Sequence, residues 1–475
     1  MTSAKPEGPP TAAVTVPARR PSSGVVIVAL ATGFVMATLD ITVVNVAGAT
    51  IENRLHASLT QLTWVVDGYV LTFASLLMLA GGLSNQIGAK KIYMAGMATF
   101  FVASLASALS TGPGMLIASR FVQGVGAALF MPSSLALLVF SFPQQRQRTR
   151  MLGLWSAIVA TSSALGPTVG GLMVNAFGWQ SIFLLNLPVG AVGMFMTRRY
   201  VAGVPGREGV KLAVSGHVIW IVLLASVSFA LIQGPQLGWG ATPVVVSYLL
   251  TMVTVALLVA RERRATNLVM PWQLFRRAGF AGANLVGFGF NFALFGSAFL
   301  LGLYLQHARG ATPFQAGLEL LPMTIFFPVA NVVYSRISGR FSNGRLLTAF
   351  LLLAGVASLT MVTISRATPY WLLALAVGVA NIGGGIISPA MTATLVDAAG
   401  PEHANASGSV LNVNRQIGSL VGIAMVGVVL GTVRGWDRGA ALSFLLIGVA
   451  YLIGACAAWR LIARPARPEA DGDLA

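Results

Sequence analysis

The sequence predicts an all-α protein that crosses a membrane fourteen times, and three observations carry that reading. Fifty-six per cent of its 475 residues are hydrophobic and only 9% are charged, where soluble domains are about a quarter charged. Apolar runs of about twenty residues, the length of one bilayer crossing, recur fourteen times along the chain. Of the 30 Lys and Arg, 23 lie in the two tails and in the loops on the same side as the tails, and five, Arg54, Arg309, Arg366, Arg434 and Arg438, lie in the opposite loops. Short basic loops stay cytoplasmic, so both termini are expected inside; Arg greatly outnumbers Lys and Ala and Gly usage is high, which points to a high-GC bacterium and so to a bacterial inner (cytoplasmic) membrane. One loop goes against the rule: between runs twelve and thirteen stand Asp397 and Glu402 with no Lys or Arg.

In order, the runs are 24–49, 61–81, 92–109, 115–140, 151–174, 180–196, 212–233, 243–260, 280–306, 314–335, 346–365, 369–395, 405–431 and 440–462. Residues 1–23 are rich in Pro, Ala and Thr and hold no small-residue cleavage site, so they read as a disordered cytoplasmic tail and not a signal peptide. Gly81 to Lys91 after run two is echoed by Ser335 to Phe341 after run ten. That echo implies parallel repeats: a six-helix bundle over 24–200, two inserted helices within 201–265, a second six-helix bundle over 266–462, and a tail at 463–475. The inserted pair is flanked by basic, Gly/Pro-containing linkers at 197–211 and 261–279.

Several function classes drop out. The net charge of +17 is spread over short loops, with no basic domain to lie on a nucleic acid. Cys456 is the single cysteine, which excludes disulfides and cysteine metal sites. His56, His217, His307 and His403 stand apart, without metal-ligand spacing, and no nucleophile elbow is present, so neither an enzyme nor a metal site is expected. No Gly-rich loop ending in Lys-Ser or Lys-Thr occurs, so ATP is not the energy source and no cofactor is expected. What remains is transport, with a small molecule, protons and the lipid bilayer as partners, in a chain that needs no second copy and is expected to be a monomer. A sensor or scaffold that kept the fold but lost transport is the competing class.

The polar residues inside the runs then become the candidates, because a charge in a bilayer is costly unless it is protonated, paired or facing water. Ten of the thirteen acids lie in tails, loops or run ends, which leaves Asp40, Asp67 and Glu319. At a rise of about 1.5 Å per residue, all three fall in the outer half of the bilayer. Two readings stand for each: a structural carboxylate tied to a neighbouring helix, or a proton carrier and substrate contact. Arg120 and Arg415 are the cations within runs. Arg120 shares a depth with Asp40 and Asp67, as a static ion pair or as one that breaks on protonation; Arg415, near the middle of run thirteen, has no partner that the sequence can name. In run five, Gly166, Pro167, Gly170 and Gly171 permit close helix approach and a bend.

Read together, from Val25 to Arg460, these stretches resemble the major facilitator superfamily and, within it, the fourteen-helix drug:proton antiporters. Leu39 to Ala47, containing Asp40 and Asn45, is similar to that family's first-helix motif, and Trp64 to Tyr69, containing Asp67, to its second-helix stretch. Arg120 to Ala128 resembles the fourth-helix motif whose arginine is implicated in proton transfer. Gly166-Pro167 with Gly170-Gly171 resembles the antiporter motif, which marks exporters. The match continues with Ala316-Gly317-Leu318 and Leu321-Pro322, and with Asn412 and Arg415-Gln416. The loop after helix two keeps Gly88 and Lys90 of the family's gating motif but carries Asn85, Gln86 and Ala89 where Asp, Arg and Arg are usual; Ser162 replaces the first glycine of the antiporter motif. The resemblance implies a proton-coupled exporter of amphipathic cationic or neutral organic compounds (drugs, antiseptics or dyes), working by alternating access of its halves. Asp40, Asp67 and Arg120 would couple protons, and Asp40, Asp67, Glu319, Asn45, Trp64 and Arg415 would contact substrate. Export of a lipid or a biosynthetic natural product is the alternative.

Overall fold

The computed structural model describes residues 23–206, 213–264, 272–400 and 404–463, which are helical with short connections and no strand. The helices are α1 (Ser23–Leu55), α2 (Leu59–Ile87), α3 (Ala89–Ala108), α4 (Pro113–Ser141), α5 (Gln145–Phe177), α6 (Ser181–Tyr200) and α7 (Val214–Leu237). They continue with α8 (Thr242–Arg263), α9 (Ala278–His307), α10 (Pro313–Ile337), α11 (Asn343–Thr363), α12 (Tyr370–Ala399), α13 (Ala404–Thr432) and α14 (Trp436–Ala463). Among the described residues thirteen of these are long and apolar enough to cross a membrane; α5, at 33 residues, is long enough for the fourteenth crossing. The protein is therefore a multi-pass membrane protein, with Ser23 and Ala463 at one end of the bundle, here the terminal end, opposite a distal end.

Two six-helix bundles pack alike. In the first, α1 lies against α5 and α6, and α4 against α2 and α3; in the second, α9 lies against α13 and α14, and α12 against α10 and α11. Each helix satisfies its own backbone, which is what makes helices suitable for a bilayer. Proline shapes one of them: α10 breaks at Leu320, just before Leu321-Pro322 opens its longer segment, because Pro322 has no N–H to continue the ladder.

The inserted helices α7 and α8 form a hairpin laid on the outside of the seam where α2 meets α13. Thr251 Oγ1 donates to Ser226 Oγ at 3.1 Å within the hairpin, and Phe229 of α7 approaches the Trp64 ring of α2 with centroids 6.5 Å apart. Much of α8 is exposed apolar surface, with Val246, Leu249, Met252, Val253 and Leu257 turned outward.

Hydrogen bonds and close approaches join the two bundles toward the distal end. Gln306 Nε2 of α9 donates to the Val46 carbonyl of α1 at 2.8 Å. His307 Nε2 lies 2.9 Å from Glu52 Oε2. A Cβ on Gly171 of α5 would meet the Pro313 carbonyl oxygen at 2.4 Å, and one on Gly317 of α10 would meet that of Pro167 at 2.4 Å. On the third side, a Cβ on Gly427 of α13 would lie 2.9 Å from Thr63 Oγ1 of α2. The structure is thus closed at the distal end.

Candidate substrate and proton site

Asp40 sits mid-way along α1, 4% exposed, inside the first bundle. Its Oδ2 accepts from Arg120 Nη1. Its Oδ1 accepts from Gln123 Nε2 at 2.9 Å and from Asn186 Nδ2 at 3.3 Å. Arg120 and Gln123 are three residues apart on α4 and so share a face; Arg120 Nη1 also donates to Gln123 Oε1 at 2.8 Å. The guanidinium is completed by Nε donating to the Val65 carbonyl of α2 at 2.9 Å and by the Tyr69 ring 4.6 Å below it. Ser104 Oγ of α3 closes the ring by accepting from Gln123 at 2.8 Å and Asn186 at 3.1 Å. One carboxylate and one guanidinium therefore tie together α1, α2, α3, α4 and α6. Such a pair is stable only while both charges and their remaining hydrogen bonds are matched.

The other predicted residues do not join this cluster. Asp67 is fully buried on α2, and neither carboxylate oxygen has a hydrogen-bond partner among the described residues. Asn45 donates to the Ile41 carbonyl at 3.2 Å, its Oδ1 is unpartnered, and its backbone crosses α9 so closely that a Cβ on Gly302 would lie 2.5 Å from its carbonyl oxygen. Trp64 packs on Phe121 at 5.9 Å. Glu319 ends the short first segment of α10; its carbonyl accepts from the Tyr370 hydroxyl at 3.2 Å, while Oε2 is unpartnered. Arg415 is partly accessible on α13.

The run-five glycines act at two contacts. A Cβ on Gly166 would fall 1.9 Å from Thr42 Oγ1 and one on Gly170 2.6 Å from Val43 Cγ1, so these two seat α5 on α1, whereas Gly171 faces α10. Pro167 lies within the continuous α5 helix. Ser162, standing where a glycine is usual, bonds Thr38 Oγ1 at 2.9 Å. At the terminal end, Gly88 has φ of +112°, and a Cβ there would also meet the Val204 carbonyl oxygen at 2.7 Å, so only glycine fits. Lys90 Nζ donates to the Arg198 and Val201 carbonyls at 3.1 and 2.7 Å, where a cation complements the C-terminus of α6. Asn85 is exposed.

Sequence reasoning passed over Gln123, Asn186, Ser104 and Tyr69. Gln123 could have been found from its i+3 spacing to Arg120, and Asn186 from being an amide within an apolar run; Ser104 and Tyr69 carry no local signal.

Paired and unpaired charges inside a bundle of membrane helices with pseudo-repeated halves define a transport protein. The Major Facilitator Superfamily model matches residues 30–423, and the chain belongs to that family. It is 72% identical over 471 residues, 99% of both chains, to the methylenomycin A resistance protein of Streptomyces coelicolor. It is 45% identical to the methylenomycin A resistance protein of Bacillus subtilis, over 93% of this chain and 95% of that one. The tetracenomycin C resistance and export protein of Streptomyces glaucescens is 32% identical over 87% of this chain and 78% of its own. Among solved structures, a peptide transporter POT in complex with sulfate superposes with a TM-score of 0.70 at 15% identity, over 92% of this chain and 93% of that one; this likeness concerns the fold.

Proposed function

We propose that the chain exports an antibiotic-sized organic compound in exchange for protons, and that methylenomycin A is its cargo. The observation that carries the proton coupling is the sealed Asp40–Arg120 cluster. Protonation of Asp40 would remove the charge that balances Arg120 and leave a buried guanidinium with only neutral acceptors, a state that favours rearrangement of the five helices it joins. Asp67 supplies a second proton site: a carboxyl group cut off from water with neither oxygen bonded is tolerated in a dry interior as the neutral acid. The distal seam supports alternating access. With α5 closed on α10, cargo would enter from the terminal end, and opening that seam would release it distally and admit protons. In this scheme the terminal end is cytoplasmic, the membrane is the bacterial cytoplasmic membrane, and one chain is the working unit.

The relatives at 72% and 45% identity are both named for resistance to one antibiotic, which supports a preferred cargo over a broad range of drugs. The test is expression in a methylenomycin-sensitive bacterium, with cellular antibiotic measured by mass spectrometry. The wild-type chain should lower it, and both a protonophore and Asp40→Asn should abolish the effect. Resistance without any fall in cellular antibiotic would refute the proposal.

A further inference from the structure

Where α1 and α5 part at the terminal end they leave a groove of about 750 Å³. The two helices run in the same direction, seated on each other at Gly166 and Gly170. Nearer the terminal end Phe34 and Trp155 still meet edge to face, with ring centroids 4.4 Å apart. Beyond that level Gln147 Nε2 reaches Ser23 Oγ at 3.2 Å, but a Cβ on Gly24 would have nothing within 4 Å. The groove is polar at its mouth, where Ser23, Gln147 and Arg150 line it, and apolar one turn deeper, at Ile27, Met151 and Leu154.

The side to which the groove opens follows from the contacts of α5. At about 100° per residue, Arg150, Leu154, Leu165 and Leu172 fall within one arc of about 60°, and all four are exposed. Leu172 is 52% exposed although its neighbour Gly171 is closed on Pro313 of α10, so this arc faces lipid and not the pathway between the bundles. The α1 face, at Gly166 and Gly170, lies about 140° to one side of the arc, and the α10 face, at Gly171, about 100° to the other. Gln147 and Met151 fall between the lipid arc and the α1 face, on the flank turned away from α10. The groove therefore opens to the membrane.

Its charge is uncompensated. Arg150 has no hydrogen-bond or ion-pair partner among the described residues. From Gly68 to Arg207 the sequence holds no Asp or Glu, while Lys90, Lys91, Arg146, Arg148, Arg198 and Arg199 share the terminal end of the bundle with Arg150. The first acid of α1 is Asp40, more than four turns beyond Ser23.

We propose that the α1–α5 groove binds an anionic phospholipid from the leaflet at the terminal end, its phosphate on Arg150 and one acyl chain along Ile27, Met151 and Leu154. A guanidinium matches a phosphate with two parallel hydrogen bonds, and basic pockets between membrane helices favour anionic headgroups. Ser23 and Gln144 stand at the mouth to bond the glycerol or headgroup oxygens. The apolar turn below them selects a lipid over a free phosphate, because only a lipid brings a chain to cover it. This site lies outside the transport pathway and does not depend on what is carried.

The test is native mass spectrometry of the purified full-length protein, titrated in detergent with dioleoylphosphatidylglycerol or with dioleoylphosphatidylcholine. The first phosphatidylglycerol should bind about fivefold tighter than phosphatidylcholine or better, the worth of one arginine beside an anionic headgroup. Arg150→Gln should bring the two lipids to within about twofold of each other. Gly24→Leu fills the open groove without removing a charge and should also weaken the first phosphatidylglycerol. Arg345→Gln, at an exposed arginine on the terminal end of α11, should keep the wild-type preference. All three variants alter exposed positions, so without added lipid they should melt with the wild type, which separates lost binding from lost structure. Equal binding of the two lipids, no phosphatidylglycerol adduct, or an affinity unchanged in Arg150→Gln or Gly24→Leu would each overturn the proposal. An equal loss in Arg345→Gln would overturn it too, by showing a general attraction of basic helix ends for anionic lipid.

Discussion

Removing both members of the Asp40–Arg120 pair should cost clearly less than the sum of removing each alone. In Asp40→Asn the guanidinium keeps the Val65 carbonyl and Gln123 Oε1 but loses its only counter-charge. The loss should therefore fall near the low end of the range for breaking a buried pair, about 3 kcal/mol. Arg120→Gln should cost a similar amount, because Asp40 keeps Gln123 and Asn186 as donors while its charge is left uncompensated. The double variant Asp40→Asn/Arg120→Gln has no buried charge at this site, so its loss should fall short of the sum by about 2 kcal/mol, within the coupling expected of contacting residues. Unfolding of the purified protein by denaturant or heat in detergent reads all four corners of the cycle. Antibiotic efflux by the same four proteins separates folding from coupling: the double variant should lose less stability than the two single losses summed and remain inactive. Losses that add to within about 0.5 kcal/mol would refute the claim that the pair acts as one charge-balanced unit.

Two further outcomes follow from the distal seam. Gly171→Ala or Gly317→Ala places a methyl group 2.4 Å from a backbone oxygen, so α5 and α10 must separate; spin labels on Asn175 and Gln315, in a Cys456→Ser background, should report a longer distance than in the parent. Glu52→Gln weakens a partly exposed cross-bundle contact with His307, worth at most about 1 kcal/mol, so the population opened distally should rise by no more than about fivefold; a much larger rise in distal cysteine accessibility would show a latch stronger than the geometry supports.

How much was legible in the sequence depends on whether the signal is local. Each crossing is written as an apolar run, and its ends moved only by a few residues; run five, for instance, is the central part of α5 at Gln145–Phe177. That Arg120 would need an acid was legible from its cost in a bilayer. Which acid was not, because depth from the helix ends places Asp40 and Asp67 alike and only helix rotation separates them. The break at Leu320 was announced by Pro322. The lie of α7 and α8 over the α2–α13 seam was invisible, since a hairpin of two apolar helices can dock on any lipid-facing side. Lys90 was found within a loop motif, but its partners are the carbonyls at the end of α6, which pairing by charge alone does not reveal.

Proton-driven export is tested most directly in proteoliposomes whose lumen is more acidic than the bath, with methylenomycin A added outside and its luminal content followed over time. Protons leaving through the protein should drive the antibiotic inward, against its own gradient, and Asp40→Asn should reduce accumulation to the level of protein-free vesicles. Uptake that merely equilibrates, or accumulation that survives in Asp40→Asn, would contradict the account.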